Sequence, residues 1–232
     1  MGVRRAHHRS HRPMPYMALG TGYPGHARVR RYQPDFSQVR QNGQDRRPAA
    51  VGWPAVTDRS ELLDQIRAKA IVRGAVTLSS GRHADWYIDL RRILLDGSVA
   101  PLAGRVMLDL TRDVAFTAAG GLTLGADPLA AAMMHAAAAR GQVLNAFIVR
   151  KSEKTHGTQR RIEGPDVAGQ RVLAVEDTST TGASVLAATS ALTEAGAEVV
   201  GVAVLVDRGA RAAVAARGLP FLAAFGPADL GL

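Results

Sequence analysis

Between Arg171 and Ser184 the chain reads RVLAVEDTSTTGAS, and no other stretch restricts its fold so tightly. An apolar run, 172–175, passes directly into two acids, Glu176 and Asp177. A run this short and this apolar reads as a strand buried on both faces. Thr178, Ser179, Thr180, Thr181, Gly182, Ala183 and Ser184 follow and open a helix expected over 184–195, with Gly196 as its stop. Strand, tight turn and helix form the βα unit of a parallel sheet, whose ligands bind at the carboxyl ends of the strands.

The flanking sequence repeats that unit. Asp58-Arg59-Ser60-Glu61 has the form of a capping box, with Asp58 as N-cap, before a helix that Gly74 ends. Short strands are expected at 76–78 and 86–90 around a Ser79-Ser80-Gly81 turn, then a helix at 100–111. A strand at 122–124 precedes a helix that Pro128 opens and Gly141 closes. Further strands are expected at 143–149, 199–206 and 221–225, with a short helix at 210–217. Residues 150–168 are polar and without period. The expected fold is α/β, a parallel sheet covered on both faces.

The 232 residues carry a net charge of +9, but ten arginines and two aspartates lie within residues 1–50, so the remainder is nearly neutral. Residues 1–55 also lack any sustained apolar period. Such a segment buries too little apolar surface to offset its ordering entropy. It is expected to be an unstructured Arg-rich extension, with a nucleic-acid-binding arm as the competing reading; residues 56–232 are expected to form one folded domain. No apolar h-region follows the basic start, so a secretory signal is not expected there. The absence of cysteine excludes disulfides, thiolate metal sites and a cysteine nucleophile.

Main-chain N–H groups and hydroxyls at a helix N-terminus make an anion site suited to a phosphate, and Gly182 lets the backbone approach it. Two carboxylates beside such a cradle would repel a phosphate. They suit vicinal sugar hydroxyls or a hydrated Mg²⁺. An ordinary strand–turn–helix junction accounts for one or two of these residues, not for an acid pair, four hydroxyls and a glycine. A second signal is Arg150-Lys151-Ser152-Glu153-Lys154-Thr155-His156-Gly157. The chain has three lysines, and two of them, Lys151 and Lys154, lie in this loop. An ammonium can neutralise or protonate a phosphate oxygen, and a histidine such as His156 is the side-chain type that can titrate near neutral pH.

The segment 171–184 resembles the phosphoribosyl pyrophosphate signature of type I phosphoribosyltransferases, and RKxxKxHG resembles the catalytic loop of the orotate phosphoribosyltransferases. VTLSSGR at 76–82 with Trp86-Tyr87-Ile88-Asp89 resembles that family's hood hairpin, GGLTLGADP at 120–128 its pyrophosphate loop, and Asp207-Arg208 the strand end that meets orotate. The resemblance covers about 57–232. It implies a type I phosphoribosyltransferase fold with an N-terminal hood hairpin.

By the same resemblance Glu176 and Asp177 face the ribose hydroxyls, and 178–184 wraps the 5′-phosphate. Arg150, Lys151, Lys154 and His156 meet the pyrophosphate, with Lys154, His156 and Asp177 catalytic. Thr180 and Arg208 hold orotate, Arg208 by presenting a guanidinium fork to its carboxylate. The implied reaction transfers the phosphoribosyl group to orotate, in a cytoplasmic homodimer with shared sites. Mg²⁺ would arrive on the substrate phosphates, no membrane is involved and nucleic acid is not an expected partner. Two departures stand out: Ser79 and the neighbourhood of Asp127 lack lysines that many relatives carry. Competing readings are a purine or uracil phosphoribosyltransferase, and a non-catalytic regulator on this fold with a nucleic-acid-binding arm.

Overall fold

The computed structural model describes residues 55–77, 83–151 and 161–232. Contacts divide the chain into Met1–Ala50 and Val51–Leu232, and the fold below is that of the second unit. The expectations for the N-terminal extension, for the Ser79–Arg82 turn and for Lys154 and His156 lie outside the described residues.

Helix α1 (Ala55–Gln65) continues into a wider π-helical turn, Ile66–Ala70, and then into strand β1 (Ile71–Thr77). Asp58 is not an N-cap. It lies inside the first turn of α1, where its buried carboxylate accepts a hydrogen bond from Arg105 Nε at 2.7 Å. Gly74 does not end a helix either. At φ 125° it sits where the register of β1 against β2 (His83–Ile88) shifts, between Arg73 and Val76. An extra residue at such a bulge needs a conformation that side chains resist. The two strands form a separate antiparallel hairpin.

The chain then builds α2 (Arg91–Leu94), α3 (Ala100–Leu110), β3 (Ala118–Leu122), α4 (Ala126–Ala139), β4 (Asn145–Val149) and β5 (Ile162–Glu163). It continues through β6 (Arg171–Ser179), α5 (Ala183–Glu194), β7 (Glu198–Asp207), α6 (Arg211–Ala215), β8 (Phe221–Phe225) and α7 (Pro227–Leu230). The main sheet has the order β5-β4-β3-β6-β7-β8; its strands run parallel except β5, which pairs antiparallel with β4 at the edge.

Alternation along the central strands separates two cores. Leu173, Val175, Ala203 and Leu205 join α1, α3 and α4 in one cluster, whereas Val172, Ala174, Val202 and Val204 join α5 and α6 in the other. A parallel sheet covered on both faces is thus what the apolar strands build. The strand expected at 122–124 begins four residues earlier, because Gly120 and Gly121 are strand residues. A Cβ on Gly120 would strike the Phe147 carbonyl, and one on Gly121 the Val175 carbonyl. These glycines let β3 pack close to its neighbours. Strand β6 likewise runs past the acids to Ser179, since Glu176, Thr178 and Ser179 still pair with Val204, Val206 and Asp207 of β7.

Candidate active site

The acid pair sits in the last part of a central strand, not in a loop after it. Glu176 is 7% and Asp177 9% exposed. Burial, and then the neighbouring Asp177, push the Glu176 carboxyl up to about 8. Asp177 is also raised by burial; this is opposed by the Thr178 main-chain N–H, which donates to Asp177 Oδ1 at 2.7 Å, and by the charge of Arg91. Glu176 Oε2 and the Thr178 hydroxyl are buried without a hydrogen-bond partner. Orphaned polar atoms at a strand end are costly unless a ligand meets them.

They border a cavity of about 240 Å³. One wall is β6 and the start of α5, with Glu176, Asp177, Thr178 and Ser184. A second wall is the β3–α4 loop, through Thr123, Leu124 and Gly125. Tyr87 and Arg91, at the end of the hairpin, and Lys151, after β4, close the remaining sides. A Cβ on Gly125 would stand 2.5 Å from Asp177 Oδ1, so glycine here is what allows the loop to pass over the acid. Thr123 Oγ1 donates to Asp127 Oδ2 at 2.7 Å, while Asp127 Oδ1 is buried and unpartnered.

The cradle turn is short. Ser179 is buried, Thr180 and Thr181 are exposed, and Gly182 turns the chain at φ 78° as the N-cap of α5. Thr181 Oγ1 accepts from the Ala183 N–H at 3.3 Å; Ala183 and Ser184 are exposed at the head of the helix. The main-chain N–H of Arg208 donates to the Ser179 carbonyl at 2.8 Å, which docks the end of β7 beside the cradle. Asp207 does not pair with Arg208. Its Oδ1 accepts the N–H groups of Gly209 and Ala210, both at 2.8 Å, and the Arg208 guanidinium lies 4.6 Å from the centre of the Trp86 ring.

The structure therefore gathers Lys151, Glu176, Asp177, Thr178 and Ser184 around one cavity. Arg150 is turned aside, at 3.4 Å from Glu163 of β5. Arg91 is the residue that sequence reasoning missed. It follows the hairpin, pairs with Asp89 at 2.8 Å and faces the cavity. Its only signal in the sequence was the scarcity of lysine in a chain whose cations are otherwise arginines.

Among the described residues no group of three or more His, Cys, Asp or Glu is placed to hold a metal. The oxygen-only donors of Glu176, Asp177 and Thr178 fit a hard cation that brings further ligands of its own. No helix among the described residues is long and apolar enough to cross a membrane.

Residues 118–218 match the phosphoribosyl transferase domain family. Over 177 residues the chain is 62% identical to the orotate phosphoribosyltransferase of Streptomyces avermitilis, covering 75% of this chain and 97% of the relative. It is 56% identical over 180 residues to that of Mycobacterium leprae, covering 77% and 99%. Among solved structures, Mycobacterium tuberculosis orotate phosphoribosyltransferase in complex with Fe(III) dicitrate superposes with a TM-score of 0.69 at 55% identity, over 75% of this chain and 99% of that one. The same enzyme in complex with 5-phospho-alpha-D-ribosyl 1-diphosphate gives 0.64 at 46% identity, over 75% and 92%. The sheet order, the acid pair at the end of β6 and these likenesses converge: the chain belongs to the orotate phosphoribosyltransferases.

Proposed function

We propose that the protein transfers the 5-phosphoribosyl group of phosphoribosyl pyrophosphate to orotate, giving orotidine 5′-monophosphate and pyrophosphate, in pyrimidine biosynthesis. The observation that carries this reading is the buried acid pair lining a cavity whose other walls supply hydroxyls and cations. Glu176 and Asp177 receive the ribose hydroxyls, which can donate to the orphaned Glu176 Oε2. The turn from Thr178 to Ser184, including Ser179, Thr180, Thr181, Gly182 and Ala183, holds the 5′-phosphate with main-chain N–H groups and hydroxyls. Lys151 and Arg91 face the pyrophosphate. Arg150 joins them by exchanging Glu163 for a phosphate oxygen. Thr180 and Arg208 meet orotate.

In the reaction the bond from the anomeric carbon to pyrophosphate breaks and a bond to an orotate ring nitrogen forms, while the proton of that nitrogen passes to the leaving pyrophosphate or to solvent. Negative charge grows on the leaving group while the ribose gains oxocarbenium character. Lys154 and His156 stabilise or protonate that leaving group. Mg²⁺ carried by the substrate phosphates would supply further charge neutralisation, with the Asp177 and Glu176 carboxylates as the oxygen donors that would meet it. We place the enzyme in the cytoplasm as a homodimer whose loops complete each other's sites, with residues 1–55 as an extension to one folded domain.

Two measurements test this. Incubated with phosphoribosyl pyrophosphate, Mg²⁺ and one base at a time, the protein should consume orotate, read by its absorbance, and leave uracil and purines untouched. No loss of orotate overturns the assignment. Lys154→Ala should lower kcat by roughly 10²–10⁴-fold. Mixed with Asp177→Asn after verified subunit exchange, at phosphoribosyl pyrophosphate too dilute to saturate that variant, it should regain activity, since a heterodimer contains one intact composite site. No recovery places the loop within its own subunit.

A further inference from the structure

Three guanidinium groups among the described residues lie over aromatic rings: Arg59 over Phe225, Arg211 over Phe221 and Arg208 over Trp86. Two of them also spend their in-plane N–H donors. Arg59 donates to the Ala224 carbonyl at 2.9 Å and to Asp229 at 3.2 Å, and Arg211 donates to the Phe221 carbonyl at 3.2 Å. Arg208 has no hydrogen-bond or ion-pair partner for its guanidinium among the described residues. In the adjacent carboxylate, Asp207, Oδ1 is occupied by the Gly209 and Ala210 N–H groups and Oδ2 lies 4.0 Å from Arg211 Nε.

Stacking uses the flat face of a guanidinium and leaves its edge free. The Arg208 edge carries the fork that a planar carboxylate takes in two parallel hydrogen bonds. A long side chain free to turn would lose rotamer entropy on binding; one already held against a ring loses less. Trp86 is itself fixed. It lies on β2 opposite Arg73, packs against the larger core cluster and is followed on the hairpin by Tyr87, which faces the cavity. At the other end the Arg208 main chain is tied to Ser179, at the root of the cradle.

We infer that Trp86 is a positioning residue for base recognition: it holds the Arg208 guanidinium by its face so that the edge is presented, ready oriented, to the carboxylate of the base substrate. This rests on the reading of Arg208 as the carboxylate partner. The side chain that sets how well the base binds is then one that never touches it.

The test compares Trp86→Phe, which keeps a π face, with Trp86→Leu, which keeps apolar volume but no face, alongside Arg208→Gln and the double variant Trp86→Leu/Arg208→Gln. Trp86→Leu should raise the orotate KM about 3–30-fold, the range a cation–π contact supports. The KM for phosphoribosyl pyrophosphate should stay within about two-fold, and Trp86→Phe should recover most of the loss. In the double variant the orotate KM should match Arg208→Gln alone. Orotate should also change the emission of Trp86 in a Trp53→Phe background, and Arg208→Gln should abolish that change; this measurement stands even if Trp86→Leu fails to fold.

If Arg208→Gln leaves the orotate KM unchanged, the carboxylate reading fails and the inference with it. If Arg208→Gln raises it while Trp86→Leu does not, or if the two losses simply multiply, the role of Trp86 alone is overturned.

Discussion

The cradle at the end of β6 and the hairpin of β1 and β2 face the same cavity but are held in opposite ways. Strand β6 lies in the middle of the sheet, hydrogen-bonded to β3 on one side and β7 on the other, with residues 172–177 buried. Its position depends on backbone ladders and close approach, so it tolerates side-chain change poorly where a Cβ would intrude. The hairpin is a separate two-stranded sheet, a structure that is marginal alone. A few contacts secure it: Ile88 buried in the core, Trp86 against core and Arg208, and the Asp89 main-chain N–H, which donates to the Ala70 carbonyl at 2.9 Å. The region assigned to the phosphate end of the substrate is thus built into the sheet, while the region assigned to the base is fastened on by contacts that substitution can adjust singly.

Breaking the cradle should cost most. Asp177→Asn keeps the size of the side chain but removes the charge, and charge-assisted hydrogen bonds contribute about 1.5–3 kcal/mol. Affinity for phosphoribosyl pyrophosphate should therefore fall about 10–100-fold by calorimetry, with orotate affinity little changed. Equal losses for both ligands would mean that the cradle and the base site are not separable.

A smaller effect separates the two regions through glycine. Gly125→Ala places a methyl within 2.5 Å of Asp177 Oδ1, so kcat/KM for phosphoribosyl pyrophosphate should drop about ten-fold as that carboxylate is displaced. Gly74→Ala meets no atom within 4 Å but must hold φ near 125°. That variant should lose roughly 1 kcal/mol of stability and show its kinetic change in the orotate KM alone. The opposite pattern in steady-state kinetics would invert the comparison.

Glu176 sharpens the contrast through stability, read in the absence of substrate. Its folded pKa, about 8, lies above the ordinary value of 4.5. Between those values the folded protein keeps a proton that the unfolded chain has released, so stability falls as pH rises from about 4.5 to 8 and then levels. Glu176→Gln should flatten that slope. Its Tm without substrate should match the parent near pH 4.5 and exceed it by at least about 5 °C at pH 8. Identical slopes in both proteins would show that the buried carboxyl is not the source.

The smallest effect is expected from removing residues 1–55. Activity and Tm should be unchanged, because every residue placed in the cradle or the hairpin lies beyond them; a large loss of activity would add a third region to the comparison.

Much of this was legible in the chain. Apolar runs located β6, β7 and β8, and the run at 221–225 coincides with the observed strand. What escaped were features whose cause is tertiary. Strand β6 was read as ending at Val175 because acids and hydroxyls follow, yet the ladder to β7 carries those polar residues into the sheet. Two glycines hid the start of β3, since their value lies in what a Cβ would strike in a neighbouring strand. Asp58 looked like a cap because its partner, Arg105, is far away in sequence. The resemblance grouped Arg150 with Lys151, and no local pattern in the sequence told that Glu163 of the next strand would lie 3.4 Å from the arginine.

The pairing of β5 with the end of β4 has a mechanical consequence. Arg150 N–H donates to the Arg161 carbonyl at 2.8 Å, so the chain leaves the sheet edge and returns to it at one point. Ten residues lie between those anchors, Lys154 and His156 among them. A segment tethered at both ends reaches at most half its contour, which for about five extended residues is roughly 17 Å. That radius, lengthened by the lysine side chain, bounds how far from the edge of β4 any phosphate that Lys154 is to meet can lie, in its own subunit or in another. Because loop-closure entropy grows only logarithmically, doubling the segment would cost about 0.6 kcal/mol. Reach can therefore be retuned by insertion or deletion here while the register of the sheet stays as it is.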